Sequence, residues 1–453
     1  MGNRRYQRWK CRSVATMGLF AQAAWPALLI IANLTPHAIS CGCNYRYDLL
    51  MELYSSTNGA GWLNNSGWGT TTTCVDNWYG VTCDGTDVTS LILRNNRLAG
   101  SLPSTPSSWN LSRLMNLNLG MNPLSGTLPA SWSAMSSIRQ LYLDACSLSG
   151  TLPSSWSNMS NLIILYAFTN NLEGTLPPSW GNLTQLQQIS LPGNRISGLL
   201  PESWAQLRNV QYINVGNNAI TGTIPPSWFT LPSLQQLHLY ANRLNGSLPA
   251  AVATPALVEA WLFGNSLRGT LPDSWSQLAS LVNLDVSSNM LNGTLPPSWS
   301  TLTKAQVLFF GSNQLTGSLP NSWWTLGSLR KLAVDQTSIV GTLPASWSAM
   351  SSIRELYLQT SNLSGTLPAS WSNMSNVIIL AAFANSFEGT LPPSWGNLTQ
   401  LQQISLRSAP RVMGSVEEPS VPQRGQQRHH RNNSAIVVHP TQFAGIPLVR
   451  KSP

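Results

Sequence analysis

Charge is scarce in this chain. Lys, Arg, Asp and Glu make up 9% of 453 residues, against roughly 25% in an ordinary soluble domain. The formal excess of +9 is not a binding surface, because it is concentrated at the ends. Arg4, Arg5, Arg8, Lys10 and Arg12 precede residue 40, residues 407–453 carry seven basic against two acidic side chains, and residues 41–406 carry 13 against 14. A nucleic-acid groove needs Lys and Arg gathered on one face, and the neutral body excludes that partner. Histidine is scarcer still, with five in all. His238 is isolated, and His429, His430 and His439 lie in the tail. No Ser/His/Asp set and no metal-ligand spacing can be assembled from these, with "RHHR" at 428–431 too weak a motif to stand for one. Phosphate loops and kinase signatures are also missing. The reading is of a non-enzyme without cofactor or metal. Beyond residue 40 no apolar run is long enough to span a bilayer.

The basic "MGNRRYQRWKCR" and the apolar stretch that follows it, ending in "AIS" before Cys41, have the layout of an export signal. Residues 1–40 are therefore expected to be a cleaved signal peptide or an uncleaved signal anchor, the latter being the one membrane attachment the sequence offers. Six cysteines in an exported chain favour disulfides over metal, and Cys74 and Cys83, which bracket "VDNWYGVT", are the expected pair. Acceptor sites of the Asn-x-Ser/Thr kind stand at Asn64, Asn110, Asn158, Asn182, Asn245, Asn292, Asn362, Asn373 and Asn397. Glycans there would supply the polarity that charge does not.

What the chain has in abundance is itself. A G-[TSL]-[LI]-P signal starts at Gly100, Gly126, Gly150, Gly174, Gly198, Gly222, Gly246, Gly269, Gly293, Gly317, Gly341, Gly365 and Gly389. The unit runs close to G-T-L-P-x-S-W-x-x-L-x-x-L-x-x-L-x-L-x-x-N-x-L-x, as in "GTIPPSWFTLPSLQQLHLYANRLN" from Gly222. This period marks a leucine-rich repeat. L-x-L predicts a short strand with its Leu residues inward, one per turn, stacking into a parallel sheet. The Asn three residues later (Asn122, Asn170, Asn194, Asn218, Asn242, Asn265, Asn289, Asn313, Asn385) must bury its amide against backbone, and Cys146 takes the same slot. Trp recurs once per unit from Trp109 to Trp395, a slot expected to be a packing column rather than a sugar platform. Only the unit from Gly246 lacks it, so a local irregularity is expected there. Residues 126–191 match 341–406 at a constant offset of 215, the mark of a segmental copy. Repeat and periodicity stop at Arg407, and the basic tail 407–453 is expected to be disordered.

These units resemble the plant-type leucine-rich repeat, and the stretch from Asp48 through the W-x-G-V-x-C segment at Trp78–Cys83 is similar to that class's N-terminal cap. With "GTLPASWSAMSSIRQLYL" and its Trp slot, the nearest likeness is to the promastigote surface antigen family of trypanosomatid protists and their relatives, over about Asp48 to Leu406. That resemblance implies an α/β-type solenoid, a right-handed superhelix with a parallel sheet on the concave face and second strands or 3-10 turns on the convex side. The layout would be a cap at 41–90, an array of about 13–14 units at 91–406, and the tail. It also implies surface display and recognition of protein or glycan. The candidate binding residues are outward positions on the concave strands: Tyr142, Tyr166, Phe168, His238, Tyr240, Trp261, Phe263, Phe309 and Tyr357. Among these, His238, Tyr240, Trp261 and Phe263 form the densest group. A protein ligand is the first expectation; the alternatives are a glycan, an inert surface coat or decoy, or a receptor-like or inhibitor role of the plant-type class.

Overall fold

The computed structural model describes residues 46–69, 78–85, 87–104 and 111–406. The proposed signal, Cys74, Asn110, Trp109 and the tail lie outside the described residues. The described residues all belong to one compact unit. Among the described residues no helix is long and apolar enough to cross a membrane.

The unit begins with a helix, α1 (Tyr47–Ser56), which buries Leu49, Leu50 and Leu53. It ends at Thr57, whose amide and hydroxyl both donate to Leu53 O. Against it pack Trp62, Trp68 and Trp78, with Tyr54 5.2 Å from Trp62, and Trp68 4.9 Å from both Trp62 and Trp78. This aromatic plug covers the first turn of the array, where an unprotected solenoid would expose its core. A bidentate ion pair, Arg46 to Asp87 at 2.9 and 2.8 Å, ties the start of α1 to the first hairpin.

The main sheet has fifteen strands among the described residues. Val81–Cys83 pairs antiparallel with Val88–Ile92. Thereafter one three-residue strand per repeat is added in parallel, from Asn116–Asn118 to Gln403–Ser405. A near-constant period keeps like residues in register, so Leu117, Leu141, Leu165, Ile189, Ile213, Leu237, Ala260 and Leu284 form one buried column. Three-residue strands would be marginal alone; here each is held on both sides by the identical geometry of its neighbours.

The opposite side carries 3-10 turns such as Ala130–Ala134 and Pro226–Thr230. Short second strands run beside them, for example Val340–Thr342 with Asn362–Thr366 and Ser386–Glu388. The tryptophans stack as a column inside. Trp132, Trp156, Trp180, Trp204 and Trp228 are buried with ring centroids 5.6–6.4 Å apart and planes within 10° of parallel. Each indole N–H donates to a proline carbonyl one repeat back, Trp204 to Pro177 O at 3.1 Å and Trp228 to Pro201 O at 3.1 Å. Pro has no N–H to give, but its carbonyl satisfies the one polar atom a buried indole brings. The repeat lacking Trp is sealed by Phe229 of the preceding repeat, whose ring stacks on Trp275 at 5.2 Å.

The asparagines form the expected ladder. Asn242 Oδ1 accepts from Ile220 N at 3.0 Å, and its Nδ2 donates to Val215 O and Leu239 O. Cys146 keeps the slot with a weaker donor, its Sγ 3.6 Å from Leu119 O, and burial pushes its thiol up to about 11. Thr337 and Ser361 fill the slot with hydroxyls, both donating to Val334 O.

Candidate functional site

The outward positions of the concave strands form columns, because register places equivalent residues side by side roughly 4.8 Å apart. One column runs Tyr142, Tyr166, Ser190, Asn214, His238, Trp261, Asp285, Phe309, Ala333, Tyr357. A second runs just past the strands, through Asp144, Phe168, Gly216, Tyr240, Phe263 and Asp335.

The nine candidate residues fall into four places. Tyr142 and Tyr166 meet edge to face at 5.4 Å, with Phe168 6.1 Å from Tyr166. The Tyr166 hydroxyl donates to Gln188 Oε1, and burial raises its pKa. His238, Tyr240, Trp261 and Phe263 do come together: His238 stacks on Trp261 at 4.0 Å with planes 8° apart, and Tyr240 stacks on Phe263 at 5.0 Å. Phe309 lies two strands beyond Trp261 across Asp285. Tyr357 is apart from all of these, its hydroxyl donating to Glu355 Oε2 at 3.1 Å.

One expectation needs correction. His238 is not an outward, exposed ring but is 3% exposed. Trp261 covers one face and Tyr212 meets it edge on at 5.3 Å. The aromatic side chains of adjacent strands are longer than the spacing between strands, so they fold over the smaller imidazole. The other aromatics of the group are half-buried.

Two residues of the site, Tyr212 and Glu259, escaped the sequence reading. Tyr212 stands before the inward Ile213, two residues earlier than the positions the reading considered, yet its hydroxyl accepts from Asn214 Nδ2 at 2.8 Å. Burial pushes its pKa up, with the hydrogen bonds from Asn214 and Ser190 opposing. Glu259 is held from both sides, Oε2 lying 3.2 Å from His238 Nε2 and Oε1 accepting from Asn283 Nδ2 at 3.2 Å. Asp285 Oδ1 accepts from the Ser287 amide and hydroxyl at 2.9 and 2.6 Å. The other ring nitrogen of His238, Nδ1, is buried and has no hydrogen-bond partner. Counting outward residues on both sides of each strand would have found Tyr212 and Glu259; the orphan nitrogen has no sequence signal.

The basic side chains of this face are engaged. Arg94 makes a bidentate pair with buried Asp144 at 2.9 and 2.8 Å, passing over Gly120, where a Cβ would come within 2.6 Å of both partners. Lys331 pairs with Glu355 at 2.9 Å. The sequons Asn158, Asn182, Asn245, Asn292, Asn362, Asn373 and Asn397 are exposed and lie at the 3-10 turns and second strands, away from the aromatic face; Asn64 is half-buried. Cys74 is outside the described residues, so its pairing with Cys83 stays a proposal.

Leucine-rich repeat family models match residues 184–244, 137–159 and 280–302. The Arabidopsis thaliana receptor-like kinase TMK4 is 37% identical over 79 residues, which are 17% of this chain and 8% of that protein. Among solved structures, the plant peptide hormone receptor RGFR1 in complex with RGF2 superposes with a TM-score of 0.70 at 26% identity, over 73% of this chain and 57% of that one. The PEPR1–AtPEP1 structure gives 0.71 at 26% identity, over 81% and 55%. The chain thus spans little more than half of these receptor chains and a small part of the kinase. Sheet, 3-10 turns and these likenesses agree that the chain is an α/β solenoid of the plant-type leucine-rich repeat class.

Proposed function

We propose that this chain is a secreted or cell-surface glycoprotein that recognises protein through the concave face of its solenoid, without catalysis. The observation that carries this is the central aromatic group. Its rings pair face to face along neighbouring strands, His238 with Trp261 and Tyr240 with Phe263. Each therefore has one face covered by its neighbour, and a phenol hydroxyl and the Glu259 carboxylate stand beside the rings. Such a surface suits the mixed side chains of a polypeptide, where half-buried aromatics supply anchors. Sugar stacking wants an open ring face, which makes a glycan ligand the second reading. The plant peptide hormone receptor RGFR1, which shares the fold and was solved in complex with RGF2, supports a peptide or protein partner. The narrower likeness to surface antigens rests on the Trp-containing repeat. Export, the Cys74–Cys83 pair and glycans at the exposed sequons belong to the same proposal.

The test is parallel screening of the purified, full chain and its Trp261→Ala variant against peptide and glycan arrays. Binding of peptides that falls with Trp261→Ala supports the reading. Glycan binding alone with the same loss would transfer the site to the second reading, and binding indifferent to Trp261 would remove the site altogether.

A further inference from the structure

Deepening the reading of this face as a protein-recognition surface, on which it rests, we propose that the stretch around Asp335 takes an arginine side chain of a polypeptide partner, its guanidinium paired with Asp335 beside Gly311 and its stem lying between Phe309 and Tyr357.

The chain already makes this contact once within itself. Arg94, Gly120 and Asp144 occupy the same position on three successive turns, and the Arg94 guanidinium crosses the glycine to pair with Asp144 at 2.9 and 2.8 Å. Ser287, Gly311 and Asp335 repeat the arrangement further along the sheet. The backbone bonds match: Asn95 N and Ser288 N donate to Gly120 O and Gly311 O, and Met121 N and Ser312 N donate to Asp144 O and Asp335 O. A Cβ at Gly311 would overlap Asp335 Oδ1, just as one at Gly120 would overlap Asp144 Oδ1, so in both places the carboxylate leans over the glycine. The difference lies at the first position. Ser287 is too short to cross, and its hydroxyl donates to Asp285 Oδ1. No basic side chain pairs with Asp335 among the described residues; its carboxylate accepts from the exposed Gln336 Nε2 at 3.1 Å. Burial raises its pKa, opposed only by the bond from Gln336 and by its own backbone. Lys331 is engaged with Glu355, and Arg330 and Arg354 precede the strands, at the opposite rim.

Register supplies the rest of the site. Phe309, Ala333 and Tyr357 are direct partners on three successive strands, so a small side chain stands between two rings whose strands lie about 10 Å apart. Both rings are half-buried, and unlike those of the central group neither meets another aromatic ring among the described residues. Ala333 and Asp335 flank the inward Val334, which sets the gap and the carboxylate side by side on the outward surface. One turn beyond Asp335, the Gln359 amide oxygen is buried and has no hydrogen-bond partner. A guanidinium carries five N–H donors in a planar fork, enough to serve Asp335 and this orphan acceptor together. Aromatic rings attract it as well, and a bidentate pair with a carboxylate is a contact that no neutral or anionic side chain can make.

The experiment selects short random displayed peptides on the immobilised full chain, then remakes the selected peptides with each Arg replaced by citrulline, which keeps the shape and removes the charge. Enrichment of Arg, a loss of about tenfold or more in affinity on citrulline exchange, and a similar loss with Asp335→Asn are the expected results. Ser287→Arg, which gives the chain its own guanidinium two turns from Asp335, should weaken the same peptides. Asp273→Asn, on an exposed 3-10 turn, is the control that should leave binding unchanged. Affinity should also fall with added salt. Citrulline exchange reads the contact with the protein unaltered, so a variant that folds poorly does not decide the matter. Selected peptides that need Trp261 yet ignore citrulline exchange and Asp335→Asn would overturn the arginine site while leaving protein recognition standing. No selected peptide at all, or peptides indifferent to Trp261→Ala and Asp335→Asn alike, would overturn both.

Discussion

Replacing Asn289 by Ala tests how the solenoid holds one turn to the next. Asn289 Oδ1 accepts from Leu267 N at 3.0 Å, and Nδ2 donates to Leu262 O, Val286 O and Ser287 O at 3.1, 3.0 and 3.1 Å. Losing four hydrogen bonds does not bring four penalties, because the acceptors are shared along the ladder. Leu262 O also receives Asn265 Nδ2, Val286 O receives Asn313 Nδ2, and Ser287 O receives Gly264 N. Truncation therefore strands one group, the Leu267 N–H. A buried unsatisfied donor costs about 1–3 kcal/mol, and the small void adds to it, giving about 2–3 kcal/mol in all. Because repeats touch only their neighbours, the loss should be local. Native-state hydrogen exchange should show the Leu267 amide and the two turns around it losing protection by about thirtyfold or more, since 1.4 kcal/mol is a factor of ten, while turns near Trp371 stay unchanged. A loss below about 1 kcal/mol, or an even loss along the whole chain, would refute the single-orphan account.

Three more outcomes are expected. Trp204→Ala should destabilise by about 3–5 kcal/mol and Trp204→Phe by distinctly less, since the latter forfeits mainly the bond to Pro177 O; urea titration of both variants decides it. Gly150 and Gly341 both have positive φ, but a Cβ at Gly150 would come 2.8 Å from Thr127 Cγ2, whereas at Gly341 it would come 3.5 Å from Ser318 Cβ. Gly150→Ala should thus lower the melting temperature more than Gly341→Ala, which carries the backbone strain of about 1 kcal/mol without the clash. Cys146, its thiol raised by burial from 9.0 to about 11, should alkylate at pH 8 roughly a hundredfold more slowly in the native protein than after denaturation. The sign follows: the folded pKa lies above the unfolded one, so the neutral thiol's contribution to stability is complete below pH 9 and is lost as pH rises toward 11. Peptide mass spectrometry at Cys146 reads the rates, and equal rates would contradict its burial.

Much of this fold was legible in the chain because a repeat carries its geometry in its period. Leu at alternate positions, Asn three residues on and Trp once per unit each occupy a slot whose surroundings are built from copies of the same slot, so one unit's pattern predicts every neighbour. That is why the Asn ladder and the Trp packing column could be read before any coordinate, and why Cys146 could be assigned to its slot. The proline carbonyls that accept from the indoles were not legible, since backbone oxygens leave no residue signature.

The concave face followed the opposite rule. Its residues are those the repeat does not constrain, and sequence alone determined only that Tyr240, Trp261 and Phe263 stand on adjacent turns. Tertiary structure decided the rest. It folded the larger rings over His238 and buried it, joined Tyr212 and Glu259 to the group, and set Asp285 between Trp261 and Phe309. The physical reason is one of range: a buried slot is dictated by a neighbour at a fixed separation of about one repeat, whereas an outward side chain takes its position from the sizes and charges of whatever stands on the strands to either side, and no period encodes those.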